Sequence, residues 1–171
     1  MSVLHSIHQL DLSTFDWCLQ RKSRQLALRI ARPISHSADG YLYIATGVIV
    51  LLLQAWSFAS LLALGFALER LIYLVCKTSF KRNRPAKAIT GFRSVIEASD
   101  EFSFPSGHTS GAFFMAWSVY SYEPVLGWIL FPWAILVGAS RVVLGVHFPT
   151  DCLAGALLGS TICLSVFAYL A

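Results

Sequence analysis

The chain has 171 residues, of which 56% are hydrophobic and only 13% are charged. A chain of this length buries too small a fraction of its surface to hide so many apolar side chains from water, so the composition excludes a disordered protein and favours an integral membrane protein. The net charge of +4 suits a phosphorylated substrate or an anionic lipid, and no finger-like spacing or basic-aromatic module indicates a nucleic-acid partner.

Residues 1–39 are predicted to form an N-terminal segment separate from the transmembrane domain that follows. Apolar residues recur in this segment at roughly helical spacing, with basic residues between them. The residues of the pattern are Leu12, Phe15, Leu19, Leu26, Ile30, Arg21, Lys22, Arg24, Arg29 and Arg32. The pattern predicts a basic amphipathic helix that lies in the membrane interface, and the alternative is an ordinary surface helix packed on the domain.

Residues 40–171 are predicted to form an all-α bundle of about five transmembrane helices. From Gly40 to Leu68 there is no charged residue, and this segment with the residues up to 76 is long enough for two short spans. A basic, proline-containing loop is predicted at 77–105, and Glu123 with Pro124 breaks the apolar stretch that follows. The predicted spans are 40–54, 58–76, 107–122, 125–140 and 152–171.

Three clusters of polar residues stand beside these spans, at 77–85, 105–108 and 140–151. Polar residues in a membrane protein point to function because lipid makes them costly. If five helices alternate across the membrane, all three clusters come to the same face. We therefore expect the three clusters to form one site.

The cluster at 105–108 predicts an anion site at the start of a helix. Ser106 is a favoured N-cap residue, and Gly107 lets a ligand approach the backbone closely. The free N–H groups and the positive end of the helix dipole suit a phosphate group. His108 is then expected in the first helical turn, beside whatever the helix start binds.

The cluster at 140–151 adds a second histidine. His147 and Asp151 are four residues apart, so the carboxylate can reach back to one imidazole nitrogen and activate a nucleophilic or basic histidine. Arg141 offers a planar fork for oxyanions, and Lys77 and Arg84 add two further cations. These residues predict a phosphate site with an acid and a nucleophile, and they leave open which histidine attacks.

In these three stretches the sequence resembles the type 2 phosphatidic acid phosphatase (PAP2) family. The family pattern is K-x6-RP, PSGH and SR-x5-H-x3-D, and residues 77–85, 105–108 and 140–151 match it without departure. The resemblance covers about residues 58–165, and three spaced motifs in the right order are a specific signal. The length of the chain is typical of the small prokaryotic membrane lipid phosphatases in this family.

The resemblance implies hydrolysis of a phosphomonoester or a diphosphate in two steps, with no metal and no other cofactor. His147 would attack the phosphorus and form a phosphohistidine, with Asp151 orienting it, and His108 would protonate the leaving oxygen. The residues implied to bind the phosphoryl oxygens are Lys77, Arg84, Ser106, Gly107 and Arg141.

The substrate is expected to be a lipid, because nearly the whole chain is predicted to form membrane helices and a lipid phosphate can reach the site laterally from the bilayer. The candidates are phosphatidic acid, phosphatidylglycerophosphate, and undecaprenyl phosphate or diphosphate. Without the three motif cations, nine Lys and Arg residues lie in the N-terminal segment and in 77–93, against none on the opposite face, which predicts a cytoplasm-facing site in a bacterial inner membrane. The alternatives are a phosphatase of a soluble phosphoester and a non-catalytic membrane protein that binds lipid or acts as a scaffold.

Other polar residues have weaker patterns. Glu69 and Arg70 lie within a predicted span, where structural pairing is favoured, although Arg70 is seven residues before Lys77 and could extend the site. Asp100 and Glu101 precede the PSGH motif and are expected to cap or solvate the loop. The four cysteines have no metal-ligand spacing and are expected to be free, packed thiols.

Overall fold

The computed structural model describes residues 3–20 and 23–171, and this part of the chain folds into α-helices without any strand. The helices are α1 (Val3–Leu19), α2 (Arg24–Ser37), α3 (Tyr41–Leu52), α4 (Trp56–Phe80), α5 (Pro85–Ala88), α6 (Gly107–Tyr122), α7 (Pro124–Val143) and α8 (Pro149–Leu170). The prediction of an all-α protein is confirmed.

The N-terminal segment folds into two helices instead of the single amphipathic helix that the sequence predicted. α1 ends at Leu19 and α2 begins at Arg24. Arg21 and Lys22 of the predicted pattern lie outside the described residues. Phe15 of α1 is fully buried, and α2 packs along α7. The interfacial position of this segment and the domain boundary after residue 39 stay predictions.

Three helical segments in the described part of the chain are long and apolar enough to cross a membrane. They are Trp56–Ala88, which includes α4 and α5, Pro124–Val143 and Pro149–Leu170. α3 has 12 residues and α6 has 16, which is about 18 and 24 Å of helix against a hydrocarbon core about 30 Å thick. The predicted number of five transmembrane helices is therefore not confirmed.

Two of the predicted loops are partly helical. α4 continues to Phe80, so Lys77 lies on a helix rather than at the start of a loop. α7 continues to Val143, so Arg141 lies on a helix and not in the connection to α8. Both of these cationic side chains are buried. The sequence analysis predicted that both residues lie outside the helices. A charged residue has the same low hydropathy whether it lies on a helix and faces a buried site or lies in a loop exposed to water, so the ends of the helices were predicted too early.

α6 lies within the bundle and packs most extensively against α8 and α7. α6 and α8 run in the same direction and touch where α8 has glycine. A Cβ atom at Gly159 would overlap the Ser110 carbonyl oxygen, and one at Gly155 would lie 3.2 Å from the Ser110 backbone nitrogen. Because the two backbones are in contact, the starts of both helices are held at the same end of the bundle.

An apolar core lies between α3, α4, α6 and α8. Leu61, Phe114 and Cys163 are fully buried in it, and the Phe114 ring packs directly over Gly65. Lipid is as apolar as these side chains, so close packing holds such helices together more than exclusion of water does. Small residues at the contacts are therefore part of what stabilises the bundle.

Gly159→Ala places a methyl group against the Ser110 carbonyl at the contact between α6 and α8. We expect the free energy of unfolding in detergent to fall by about 1–3 kcal/mol, because the overlap is with backbone and not with a flexible side chain. The matched control is Gly47→Ala on α3, where nothing lies within 4 Å of the added Cβ atom. That control is expected to gain up to about 1 kcal/mol from helix propensity. Equal stability of the two variants in denaturant unfolding would contradict the contact.

Candidate active site

The three polar motifs meet at one pocket, at the end of the bundle where α6 and α8 begin and where α4 and α7 end. The pocket has a volume of about 1010 Å³. Five of the eight predicted site residues line it: Arg84, Gly107, His108, Arg141 and His147. The other three are buried behind its wall: Lys77, Ser106 and Asp151.

The start of α6 presents its backbone to the pocket. The helix begins at Gly107 after the N-cap Ser106, whose hydroxyl lies 3.0 Å from that of Thr109. The Ser106 backbone N–H donates to the Asp151 carbonyl at 2.9 Å, which ties this helix start to α8. A Cβ atom at Gly107 would lie 2.9 Å from the Tyr73 ring, so the position suits glycine. The positive end of the α6 dipole therefore faces the pocket at close range.

His147 and Asp151 lie close together without a hydrogen bond between them. Nδ1 of His147 is 3.8 Å from Oδ2 of Asp151, and this buried nitrogen has no hydrogen-bond partner among the described residues. The Asp151 carboxylate accepts hydrogen bonds from the Phe148 backbone N–H at 2.8 Å and from Arg82 at 2.7 Å. Ser103 donates a further one. Asp151 thus caps α8 and holds its negative charge beside Nδ1 of the imidazole.

The His147 imidazole is neutral at pH 7. The residue lies in the connection between α7 and α8, and it is 2% exposed. Burial lowers the pKa of the imidazole to about 4, since the Asp151 carboxylate offsets the desolvation only in part and the charges of Arg84 and Arg141 add to it. Nε2 lies 3.3 Å from Nη1 of Arg84. The site therefore contains a neutral imidazole next to a cation.

Asp100 neutralises two of the motif cations. Its Oδ1 accepts a hydrogen bond from Nζ of Lys77 at 2.7 Å and contacts Nη2 of Arg84, while the Tyr73 hydroxyl donates to Oδ2. Burial raises the pKa of Asp100, but the hydrogen bonds from Lys77 and Tyr73 and the charges of Lys77 and Arg84 outweigh it and lower the pKa to about 2. The expectation that Asp100 caps or solvates its loop is wrong, because its carboxylate holds the cations as a bound anion would.

Arg141 has no such counter-ion. The residue is 4% exposed, and it takes part in none of the ion pairs that the described residues form. Its Nη1 donates to the Ser35 hydroxyl at 2.6 Å, and its buried Nε has no hydrogen-bond partner in the described part of the chain. A buried, uncompensated charge is costly, so the guanidinium is suited to an anion that enters the pocket.

The N-terminal segment supplies partners that the sequence did not identify. Besides Ser35, they are Asp39, whose Oδ1 lies 2.7 Å from Nε2 of His108, and Asp11, which accepts a hydrogen bond from Arg82 at 2.5 Å. These contacts cross the predicted domain boundary, and no spacing rule connects such distant positions. One signal was present for Asp39, since it is the last charged residue before the long uncharged stretch.

Glu69 and Arg70 form the pair that the sequence favoured, and Arg70 also lines the pocket. Its Nε donates to the fully buried Glu69 carboxylate at 2.6 Å. The guanidinium carbon lies 4.5 Å from the centre of the Tyr73 ring, and Nη2 would be 3.4 Å from a Cβ atom at Gly107. A further cation is therefore held next to the start of α6.

Comparison with known proteins places the chain in one family. The sequence model of the PAP2 superfamily matches residues 54–171. Undecaprenyl-diphosphatase BcrC of Bacillus subtilis is 32% identical over 106 residues, which make up 62% of this chain and 50% of that protein. The chain spans about half the length of this and other curated relatives that it matches.

Two crystal structures have a similar fold. Aquifex aeolicus LpxE superposes with a TM-score of 0.81 at 28% identity, covering 94% of this chain and 96% of that one. The first transmembrane PAP2-type phosphatidylglycerolphosphate phosphatase from Bacillus subtilis gives a TM-score of 0.75 at 28% identity, with 96% and 86% of the two chains covered. This likeness and the long apolar helices identify the chain as an integral membrane protein.

Asp100→Asn removes the carboxylate that neutralises Lys77 and Arg84. In phosphate-free buffer at pH 7 we expect a loss of about 1–2 kcal/mol in stability, because two buried cations lose their counter-ion. This loss is present above the ordinary Asp pKa, and it disappears as the pH falls through about 2, where the wild-type carboxyl is itself protonated.

Thermal unfolding in detergent measures the effect of Asp100→Asn. We expect inorganic phosphate to raise Tm more in the variant than in the wild type, because the anion no longer competes with the carboxylate. Glu101→Gln is the matched control, since Glu101 is exposed and, among the described residues, pairs only with exposed Lys87 at 2.9 Å. If phosphate raised the Tm of Asp100→Asn no more than that of the wild type, the conclusion that Asp100 neutralises Lys77 and Arg84 in place of an anion would be contradicted.

Proposed function

This chain belongs to the PAP2 superfamily, and on that premise we propose that it is a membrane lipid phosphatase. It hydrolyses the phosphate or diphosphate group of a lipid through a phosphohistidine, without a metal. The proposed nucleophile is His147, oriented by Asp151, and the proposed acid is His108. The residues proposed to bind the phosphoryl oxygens are Lys77, Arg84, Ser106, Gly107 and Arg141.

The observation that carries this proposal is the pairing of an unsatisfied cation with a neutral imidazole in one pocket. Arg141 forms no ion pair with the described residues, and its Nε lacks a hydrogen bond among them. His147 lines the same pocket with a neutral imidazole. A phosphoryl group there would accept hydrogen bonds from Arg141 and from the backbone N–H groups at the start of α6. Its phosphorus would then lie next to the lone pair of the imidazole.

In the first step, Nε2 of His147 attacks the phosphorus. A P–N bond forms, and the P–O bond to the lipid breaks, with its electron pair going to the leaving oxygen. His108 gives that oxygen a proton, so an alcohol or a lipid phosphate leaves instead of a more basic anion. Arg84 and Arg141 offset the charge on the phosphoryl oxygens, and Asp151 offsets the positive charge of the phosphorylated ring at Nδ1.

In the second step, water attacks the phosphorus of the phosphohistidine. His108, now neutral, takes a proton from the water. The P–N bond breaks and its electron pair returns to Nε2, so inorganic phosphate is released and both histidines recover their starting state. Asp100 can then pair again with Lys77 and Arg84, which would favour release of the phosphate.

The pocket wall supports a lipid substrate. Ile44 of α3 and Phe66 of α4 line the pocket together with its cations, and the outer face of α3 is apolar and exposed, as at Val48 and Leu52. A phosphate at the helix starts would therefore have an apolar path for its tail towards the bilayer. The names of the relatives also support this class, and we propose phosphatidic acid, phosphatidylglycerophosphate, or undecaprenyl phosphate or diphosphate as the substrate.

Phosphate release by the purified protein in detergent with EDTA tests the proposal. The substrates are the four candidate lipids, with a soluble sugar phosphate beside them. We expect one or more of the lipids to be hydrolysed in EDTA. His147→Ala should lower kcat at least about a thousand-fold, because the nucleophile is lost while the fold is retained.

A rapid quench without acid, using a lipid that is radiolabelled in the phosphate group to be transferred, shows whether His147 is a nucleophile or a base. We expect label on the wild-type protein, stable to alkali and lost in acid, and none on His147→Ala. Hydrolysis of the sugar phosphate alone would overturn the lipid assignment. No release at all from folded wild-type protein would favour a non-catalytic lipid-binding protein, and a strict need for magnesium would contradict the mechanism.

We also propose that the protein lies in a bacterial inner membrane with the pocket facing the cytoplasm. The support is the distribution of positive charge along the sequence: outside the motifs, nine Lys and Arg residues lie in the N-terminal segment and in 77–93, and none lies between 94 and 140 or after 141. Glu123 lies at the turn between α6 and α7, which is the end of the bundle away from the pocket.

Cysteine labelling in bacterial cells tests this orientation. Lys87→Cys and Glu123→Cys are placed singly in a chain whose Cys18 and Cys76 are replaced by Ala, since Cys152 and Cys163 are buried. A membrane-impermeant maleimide should label Glu123→Cys in intact cells and Lys87→Cys only after lysis. The reverse pattern would place the pocket on the outer face.

A further inference from the structure

Asp39 stands at the junction between the N-terminal segment and the bundle. It lies between α2 and α3, and its backbone N–H donates to the His36 carbonyl at 3.1 Å. The next residue, Gly40, has φ of 109°, a left-handed conformation that suits glycine and lets the chain turn into α3. The carboxylate is therefore held at the rim of the pocket by the path of the backbone.

The two carboxylate oxygens of Asp39 contact two different histidines. Oδ1 lies 2.7 Å from Nε2 of His108 on α6, and Oδ2 lies 2.6 Å from Nδ1 of His36 on α2. Burial raises the pKa of Asp39, but the hydrogen bonds to His108 and His36 and their charges hold it below its usual value. Asp39 is thus an ionised acceptor for a proton on each ring.

The contact to His108 has a consequence for its other ring nitrogen. A ring whose Nε2–H is donated to a carboxylate has a fixed orientation, and only Nδ1 is left to meet a ligand in the pocket. The other charged groups that face His108 are Arg70 of α4 and Arg141 of α7. Neither guanidinium can accept a hydrogen bond, so among these groups Asp39 alone can orient the ring.

We infer that Asp39 is the positioning residue of the general acid in this enzyme. It holds the His108 ring through Nε2, so that Nδ1 delivers the proton to the leaving oxygen, and His36 holds the carboxylate from the other side. The inference rests on the proposed function, and it adds a residue that lies outside the stretch 54–171 matched by the family.

The proton balance of both steps follows from this arrangement. Before P–O cleavage His108 carries a proton on each nitrogen, and the proton on Nδ1 passes to the leaving oxygen as that bond breaks. The neutral ring keeps Nε2–H on Asp39, and Nδ1 then takes a proton from the attacking water. Asp39 stays a carboxylate throughout, so its role is to keep one tautomer and one orientation.

The test compares two substrates that differ in their need for an acid. A phosphatidic acid has an alkoxide leaving group that must be protonated, whereas a nitrophenyl phosphate with an alkyl tail releases a stable phenolate. For Asp39→Asn we expect the rate of the first step, measured by rapid quench as formation of the phosphohistidine, to fall about a hundred-fold with the first substrate and by less than about three-fold with the second. Glu101→Gln, the same change of carboxylate to amide at an exposed position, should alter neither.

A double-variant comparison shows whether Asp39 acts through His108. With phosphatidic acid, Asp39→Asn combined with His108→Ala should be no slower than His108→Ala alone, because the acid that Asp39 positions is already absent. Equal losses with both substrates, or a further loss in the double variant, would overturn the inference and indicate a purely structural role. A wild-type protein that hydrolyses neither these substrates nor any of the other candidate lipids would instead overturn the proposed function.

Discussion

The backbone contact between α6 and α8 determines where the chemistry of this protein is placed. Gly155 and Gly159 let the two helices touch, and the hydrogen bond from Ser106 to the Asp151 carbonyl joins their first turns. Two parallel helices thereby direct their positive ends to one pocket. The PSGH motif opens one of these helices, and His147 comes just before the other. Without this contact His108 on α6 and His147 before α8 would not face a common pocket.

Burial of charge is the second constraint, and it separates the cations of the site into two groups. Lys77 and Arg84 are neutralised by Asp100, and Arg82 is neutralised by Asp11 and Asp151. These pairs let a chain with few charges keep cations beside a membrane core. Arg141 is different, since its partner among the described residues is a serine hydroxyl. In the proposed function, an incoming phosphate would accept the hydrogen bonds that Arg141 lacks.

Local spacing was enough to predict the candidate site residues, and five of the eight line the pocket. The interval of four residues lets Asp151 in the first turn of α8 reach back towards His147. Ser106 is the N-cap residue of α6 as predicted, and α6 has the predicted bounds of 107–122. Such features depend on neighbours within a few residues. The all-α class likewise follows from composition, because uncharged stretches in lipid must satisfy their backbone hydrogen bonds internally.

The sequence by itself therefore determined the helical class, the three motifs and the kind of ligand that they suit. The tertiary structure alone decided that Lys77 and Arg141 sit on helices, that Asp100 pairs with Lys77 and Arg84, and that Asp39 reaches His108. These contacts join positions up to 69 residues apart. Their partners are determined by packing and by the cost of leaving a buried charge unpaired. Neither factor produces a regular spacing in the sequence from which the partner could be predicted.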